Sequence, residues 1–256
     1  MAQLEGKTGI IFGIANHRSI AWPIAQAADR EGATLVLAYQ NERVERFVRE
    51  LAEKLSRPPL LVQCDVADDA SIESVYAAVG ARHPRLDFVV HSVAFANREN
   101  LEGRFVDTKR EDFRLALDIS AYSLTAVTRA ALPLLSGGGS VVTLTYLGSQ
   151  RAMPGYNVMG VAKAALEASV RYLAADLGPQ GIRVNAISAG PVQTLSARAI
   201  SGFSGFLNAH KERSPLGRNI EVGEVAEMAA FLIGPGGSGI TGQVIYVDAG
   251  FNIIGV

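Results

Sequence analysis

The sequence predicts one α/β domain built on a doubly wound parallel sheet, and three observations carry that expectation. Short apolar runs alternate with longer helical patterns from one end of the chain to the other. Those runs are rich in Val, Ile and Leu on both faces, as strands covered by helices on two sides must be. The 256 residues suffice for a single such domain with a buried sheet, and nothing requires a second.

In chain order the strand-like runs are Thr8–Phe12, Thr34–Ala38, Leu60–Gln63, Phe88–His91, Ser140–Tyr146, Arg183–Ser188 and Gln243–Val247. Helical stretches lie near Ser19–Glu31, Glu42–Leu55, Ala70–Arg82, Arg110–Leu135, Tyr156–Leu177 and Glu221–Ile233. Their apolar residues recur every three or four positions, as in Leu166, Val170, Leu173 and Leu177. Strand, helix, strand repeated this way demands right-handed crossovers, hence about seven parallel strands in a Rossmann-type sheet with helices on both faces. Such folds bind ligands beyond the carboxyl ends of the strands, where the strand order reverses.

Two connections stand out. Ser136-Gly137-Gly138-Gly139-Ser140 reads as a turn before a strand. The second runs over roughly 192–219 and mixes Leu195, Ile200, Phe203, Phe206 and Leu207 with Thr194, Ser196, Ser201, Gly202, Ser204 and Gly205. A connection of that length in a compact domain is usually functional, and this composition suits a lid over an apolar ligand. An ordinary surface excursion with short helices is the other reading.

Composition narrows the function classes. Hydrophobic residues make up 48% and charged residues 19%, below the roughly 25% charged of an average soluble chain. The deficit points to surface hidden around a ligand or between subunits, or simply to a large core. A net charge of −1 offers no basic field for nucleic acid or an anionic membrane. Cys64 is the single cysteine, which excludes an internal disulfide framework and fits a reducing compartment. The first residues lack a charged-then-apolar secretion pattern, and no apolar run approaches the roughly 18 residues of a membrane span. A cytoplasmic protein is the expectation. His17, His83, His91 and His210 are scattered, without metal-ligand spacing, so no metal is expected.

After the first strand, Gly13-Ile14-Ala15-Asn16-His17-Arg18-Ser19-Ile20-Ala21 opens into a helix. A helix N-terminus with free N–H groups can receive a pyrophosphate. The Gly-x-G-x-x-Gly fingerprint is absent, however, and a plain strand-to-helix turn explains the segment as well. Gly13 would let backbone approach phosphate, and Ser19 could donate its hydroxyl. The second strand ends at Tyr39-Gln40-Asn41, where a carboxylate would bind a ribose 2′-OH. Gln40 is neutral and decides little, while Arg43 could meet a phosphate or sit on an exposed helix start. Asp65, after the third strand, could accept from an adenine amino group. His91-Ser92-Val93-Ala94, after the fourth, supplies small residues where a cofactor must pass closely.

Tyr156 and Lys163 are seven apart on one predicted helix. Seven steps of about 100° return to within about 20° of the start, so both face one side, about 10 Å apart along the axis. The ammonium could hold ribose hydroxyls while the phenol meets a reacting carbonyl. Tyr146, at the end of the fifth strand-like run, would point into the same crevice. A phenol donates to a developing oxyanion, and nearby positive charge strengthens that donation. On spacing alone, a core tyrosine and a solvated lysine explain the pair better.

Lys7 through Phe12, the Asp65 segment, the helix after Tyr156 and Val184-Asn185-Ala186-Ile187-Ser188-Ala189-Gly190-Pro191 together resemble the short-chain dehydrogenase/reductase superfamily, over essentially the whole chain. Three features depart from its usual members. There is no Gly-x-x-x-Gly-x-Gly turn and no Tyr-x-x-x-Lys, and Ser120 lies where an asparagine is expected. These departures, with the Gly13–Ala21 turn, His91–Ala96, Tyr146, Tyr156-x6-Lys163 and Gly190–Leu195, resemble the bacterial enoyl-acyl carrier protein reductases.

The resemblance implies that Tyr146, Tyr156 and Lys163 are the catalytic residues: Tyr156 bonds the thioester carbonyl, Lys163 binds the nicotinamide ribose, and Tyr146 also lines the acyl pocket beside Ala96. It implies a cofactor held by Gly13, Ser19, Ile20, Gln40, Asp65, Val66, Val93, Lys163 and the segment Val192, Gln193, Thr194, Leu195, Ser196. Gln40 without a basic cluster then favours NADH over NADPH, although Arg43 keeps that choice open. It also implies a homotetramer and acyl carrier protein as the carrier of the substrate. Two other readings compete: a carbonyl reductase acting on a 3-oxoacyl thioester, and a non-enzymatic dinucleotide sensor. The first usually goes with Tyr-x-x-x-Lys, and the second predicts damaged tyrosine or lysine positions.

Overall fold

Alternate residues of each strand feed two separate cores, one on either side of the sheet. Ile10, Val36, Val89, Val141 and Val184 enter one core, while Ile11, Leu37, Val90, Val142 and Ile187 enter the other. This is the period-two consequence of a pleated strand. The computed structural model describes residues 2–193 and 203–255. Its strands are β1 (Thr8–Phe12), β2 (Thr34–Tyr39), β3 (Leu60–Gln63), β4 (Phe88–His91), β5 (Gly139–Thr145), β6 (Ile182–Ala189) and β7 (Val244–Val247). They form one parallel sheet in the order β3-β2-β1-β4-β5-β6-β7. The predicted strands are thus all present, with ends shifted by one residue at most.

The helices are α1 (Ala21–Arg30), α2 (Glu42–Ala52), α3 (Asp69–Arg82), α4 (Arg110–Leu117), α5 (Ser123–Ala131), α6 (Asn157–Leu177), α7 (Phe203–Arg213) and α8 (Val222–Ile233). Buried residues of α1, α2 and α8 cover one face of the sheet, and those of α3, α5 and α6 cover the other. A π-turn at Asp118–Tyr122 joins α4 to α5, so the single helix expected over Arg110–Leu135 carries a bulge. Such bulges often sit at functional sites. The expected loop over 192–219 contains α7 in its described part.

Helix starts differ in a way that matters. Asn41 Oδ1 accepts the Arg43 N–H at the head of α2, Asp68 Oδ1 accepts the Ala70 N–H at α3, and α8 carries a capping box of Glu221 and Glu224. α1 has no side-chain cap and no acid in its first turn. In its first turn Trp22 donates to the Ser19 carbonyl and Pro23 has no N–H, which leaves the Ala21 N–H at its head available to a ligand that carries negative charge.

Strand order reverses between β1 and β4, and their carboxyl ends separate into a crevice there.

Candidate active site

A cleft of about 960 Å³ opens at that reversal, lined from the β1 turn at one end to Tyr156 and Phe206 at the other. Its entry is set by Gly13. The backbone there has φ +95°, and a Cβ would lie 2.0 Å from the Ser92 carbonyl oxygen. Only glycine lets the two strand ends pass so closely. The turn that follows is organised by one hydroxyl. Ser19 Oγ accepts the Ala15 N–H at 3.1 Å and the Asn16 N–H at 3.2 Å, which leaves its own proton to donate. Arg18 also lines the cleft beside it, and its backbone N–H donates to Asn16 Oδ1 at 2.8 Å.

The end of the cleft beyond β2 and β3 is lined by Tyr39, Gln40, Val44, Cys64, Asp65 and Val66. Asp65 Oδ1 accepts the Ala67 N–H at 3.0 Å, which fixes the carboxylate in a tight turn. Burial pushes the Cys64 thiol up to about 11, so this residue is a neutral wall. Arg43 is exposed and does not line the cleft.

Chemistry-bearing groups gather at the other end. Tyr156 is the residue before α6, and Lys163 lies two turns into that helix; both line the cleft, as their spacing allows. Lys163 is 6% exposed and donates one of its three N–H groups to the Leu144 carbonyl at 2.8 Å. Burial lowers its ammonium to about 8, partly offset by the Glu167 carboxylate one turn further on. The Tyr146 and Tyr156 rings meet edge to face, with centroids 4.9 Å apart at 72°. A Cβ on Gly148 would lie 2.4 Å from the Tyr156 ring, so this glycine admits the ring against the turn that follows β5.

Both phenols are held above their ordinary value and remain hydrogen-bond donors at neutral pH. Burial dominates in each; Tyr146 and Glu167 add to the effect on Tyr156, and Asp248 to that on Tyr146. The buried Tyr146 hydroxyl has no hydrogen-bond partner among the described residues. Around the tyrosines, Ala96, Leu101, Met159 and Ala162 form a small apolar cluster, and Phe206 of α7 lies with its ring 6.2 Å from that of Tyr146.

Ser120 explains one departure noted in the sequence. Its hydroxyl accepts the Phe95 N–H at 2.9 Å and donates to the Phe95 carbonyl at 3.0 Å, tying the π-turn to the segment after β4. It is a brace for the cleft wall, with its hydrogen bonds already committed. His91 is likewise internal. Its ring nitrogens meet Thr143 Oγ1 at 2.9 Å and Ser123 Oγ at 2.8 Å, and burial lowers it to about 3, which keeps it neutral.

The cleft thus brings together Gly13, Ser19, Ile20, Gln40, Asp65, Val66, Val93, Ala96, Tyr146, Tyr156, Lys163 and Val192. Gln193 is exposed and lies off its walls. Thr194, Leu195 and Ser196 fall outside the described residues. Sequence reasoning missed Arg18, Met159 and Glu167. Arg18 stood inside the turn already singled out, and Met159 three residues after Tyr156. Glu167, four residues after Lys163, offered no signal beyond that spacing.

The profile of the family described as Enoyl-(Acyl carrier protein) reductase matches residues 13–252. An NADH-type enoyl-acyl-carrier-protein reductase of Bacillus subtilis is 51% identical, over 98% of this chain and 97% of its own length. An NADPH-type reductase of Staphylococcus aureus is 51% identical, over 99% of this chain and all of its own. Among solved structures, the Bacillus cereus enoyl-acyl carrier protein reductase with NADP+ and indole naphthyridinone superposes with a TM-score of 0.98 at 49% identity, covering 100% of both chains. The Anaplasma phagocytophilum reductase in complex with NAD gives 0.95 at 47% identity, over 99% of this chain and 96% of that one.

Proposed function

The chain belongs to the enoyl-(acyl carrier protein) reductase family, and from that premise we propose that it reduces the trans-2 double bond of an enoyl thioester in fatty acid synthesis, with NADH as reductant and acyl carrier protein as carrier. The convergence of Tyr146, Tyr156 and Lys163 at one end of a long cleft carries this reading. The residues fit a nicotinamide dinucleotide. The Ala21 N–H at the head of α1 and the Ser19 hydroxyl suit a pyrophosphate, Gln40 a ribose and Asp65 an adenine amino group. The partnerless Tyr146 hydroxyl marks where a further polar group belongs. A neutral Gln40, with Arg43 off the cleft, leaves NADH the better match.

The chemistry a reduced nicotinamide supplies when bound there is a hydride, delivered to the β-carbon of the enoyl thioester. Negative charge then grows on the thioester oxygen, and the Tyr156 hydroxyl, still protonated, donates to it. That bond strengthens as the charge develops, so it lowers the barrier more than it tightens substrate binding. Lys163 has two N–H groups left after its bond to Leu144, and these hold the nicotinamide ribose. Tyr146, Ala96 and Met159 wall the acyl chain, and the 192–219 segment acts as the lid, with Phe206 meeting Tyr146. The reaction ends when the α-carbon takes a proton.

A crotonyl thioester with NADH is expected to lose absorbance at the nicotinamide band, faster than with NADPH. An acetoacetyl thioester is expected to give no loss; a rate with that substrate alone would make the protein a carbonyl reductase.

We place the reaction in the cytoplasm and the chain in a homotetramer. Leu216 and Phe231 are 63% and 43% exposed along a shallow groove with Ile220 and Met228, and Ile253 of the C-terminal segment is 73% exposed. Exposed apolar residues gathered this way suit a subunit contact. Sedimentation equilibrium is expected to give four chain masses, and a monomer there would remove the proposal.

A further inference from the structure

Glu167 is 5% exposed on α6, one turn beyond Lys163 and on the same face. A carboxylate buried this deeply requires partners. One oxygen, Oε1, supplies the attachment twice: Thr145 donates to it at 2.7 Å and Ser149 at 2.6 Å. Thr145 ends β5, and Ser149 closes the short turn after it. Between them stands Tyr146. The same helix holds the residue before this pair, through the bond from Lys163 to the Leu144 carbonyl. The turn closes on itself as well, since the Ser149 N–H donates to the Tyr146 carbonyl at 2.9 Å. Positions 144, 145 and 149 are therefore fastened to α6 on both sides of the phenol, and Gly148 lies against the Tyr156 ring.

We propose that Glu167 is a positioning residue for the reduction, its carboxylate oxygen clipping Thr145 and Ser149 about Tyr146 from one turn beyond Lys163 on the same helix. The inference rests on the reductase reading above. It follows from where the carboxylate stands. Without it, Lys163 would be a buried cation facing neutral groups: His91 from β4, with Tyr146 and Tyr156 from the segments flanking the cleft. Among the described residues the other anion near this group is Asp248, beyond β7, whose two oxygens accept from Gly250, Asn252 and the Asn252 side chain. Burial works against the Lys163 charge, and Glu167 partly offsets that cost. Tyr246 of β7 also faces Glu167 and stays neutral.

The test measures NADH dissociation constants by fluorescence from pH 6.5 to 10, alongside kcat and KM for crotonyl thioester at pH 7. In the wild-type protein binding weakens as pH rises through the Lys163 titration. Glu167→Gln keeps the volume and an acceptor oxygen but removes the charge. Its binding curve is expected to move about one pH unit lower. Ser149→Ala keeps the charge and removes one clip, and it keeps the proposal testable should the Gln variant not fold. Its kcat is expected to fall about fivefold with KM nearly unchanged and the binding curve unmoved. A Gln variant whose curve superimposes on the wild type, or a Ser149→Ala enzyme with wild-type kcat, overturns the proposal. A wild-type protein that binds no NADH at any pH instead overturns the reductase reading, and this one with it.

Discussion

Replacing Tyr156 with phenylalanine is expected to lower kcat by about 100- to 1000-fold while NADH affinity changes by no more than about twofold. The substitution deletes one oxygen and preserves the ring. That ring packs edge to face on Tyr146 and against Gly148, contacts a phenylalanine keeps. No described residue hydrogen-bonds to the Tyr156 hydroxyl, so its loss orphans no protein group. What disappears is a donor needed only when charge accumulates on the thioester oxygen, and such a loss falls on kcat and kcat/KM together. Stopped-flow turnover of crotonyl thioester and fluorescence titration of NADH separate the two quantities. A kcat within threefold of wild type would deny Tyr156 contact with the reacting oxygen.

Much of this arrangement was legible in the sequence because its physics is local. Strands buried on both faces must be apolar throughout, and those runs marked β1 to β7 nearly to the residue. The crevice followed from topology, since a parallel sheet wound from its middle has only one place where strand order reverses. Tyr156 and Lys163 were ambiguous on spacing, because seven residues along a helix bring any two side chains to one face. Their convergence on the cleft depends on α6 packing against β6, the turn after β5 and the π-turn at Asp118–Tyr122, contacts that no local pattern encodes.

α7 was legible only as one of two readings, for a related reason. Gly205, Ser204 and Asn208 are poor helix formers, so the segment reads as a loop. Docking stabilises it instead: Phe206 lies by Tyr146, and His210, 1% exposed, stacks on Phe251 with centroids 4.4 Å apart. Ser120 shows the converse case. The sequence marked it as a departure, but its reciprocal bonds to Phe95 depend on a π-turn that no propensity encodes. Glu167 has no sequence signal that sets it apart from other charges on α6, and its burial marks it.

At pH 7, Lys163→Ala is expected to bind NADH about 10- to 100-fold more weakly, since a charge-assisted hydrogen bond contributes about 1.5–3 kcal/mol. The sign of the pH dependence follows from the ammonium being lowered to about 8, below its ordinary 10.5. Below pH 8 the wild-type side chain carries its proton and can hold the ribose; above it the proton is lost and affinity falls. The alanine variant has nothing to titrate there, so its affinity should stay level and the two curves should converge at alkaline pH. Stability of the unliganded protein moves in the opposite sense. A lysine whose folded value is depressed favours the folded state above pH 10.5, and that contribution is lost as pH falls toward 8. At neutral pH the wild type therefore carries a buried ammonium at a penalty that Lys163→Ala removes, which offsets some of the packing lost with the side chain. Weaker binding without a matching fall in the unliganded Tm is the combined result expected. Equal NADH affinity for the two proteins at pH 7 would leave the ribose without its proposed partner and place Lys163 in a purely internal role, fastening Leu144 to α6.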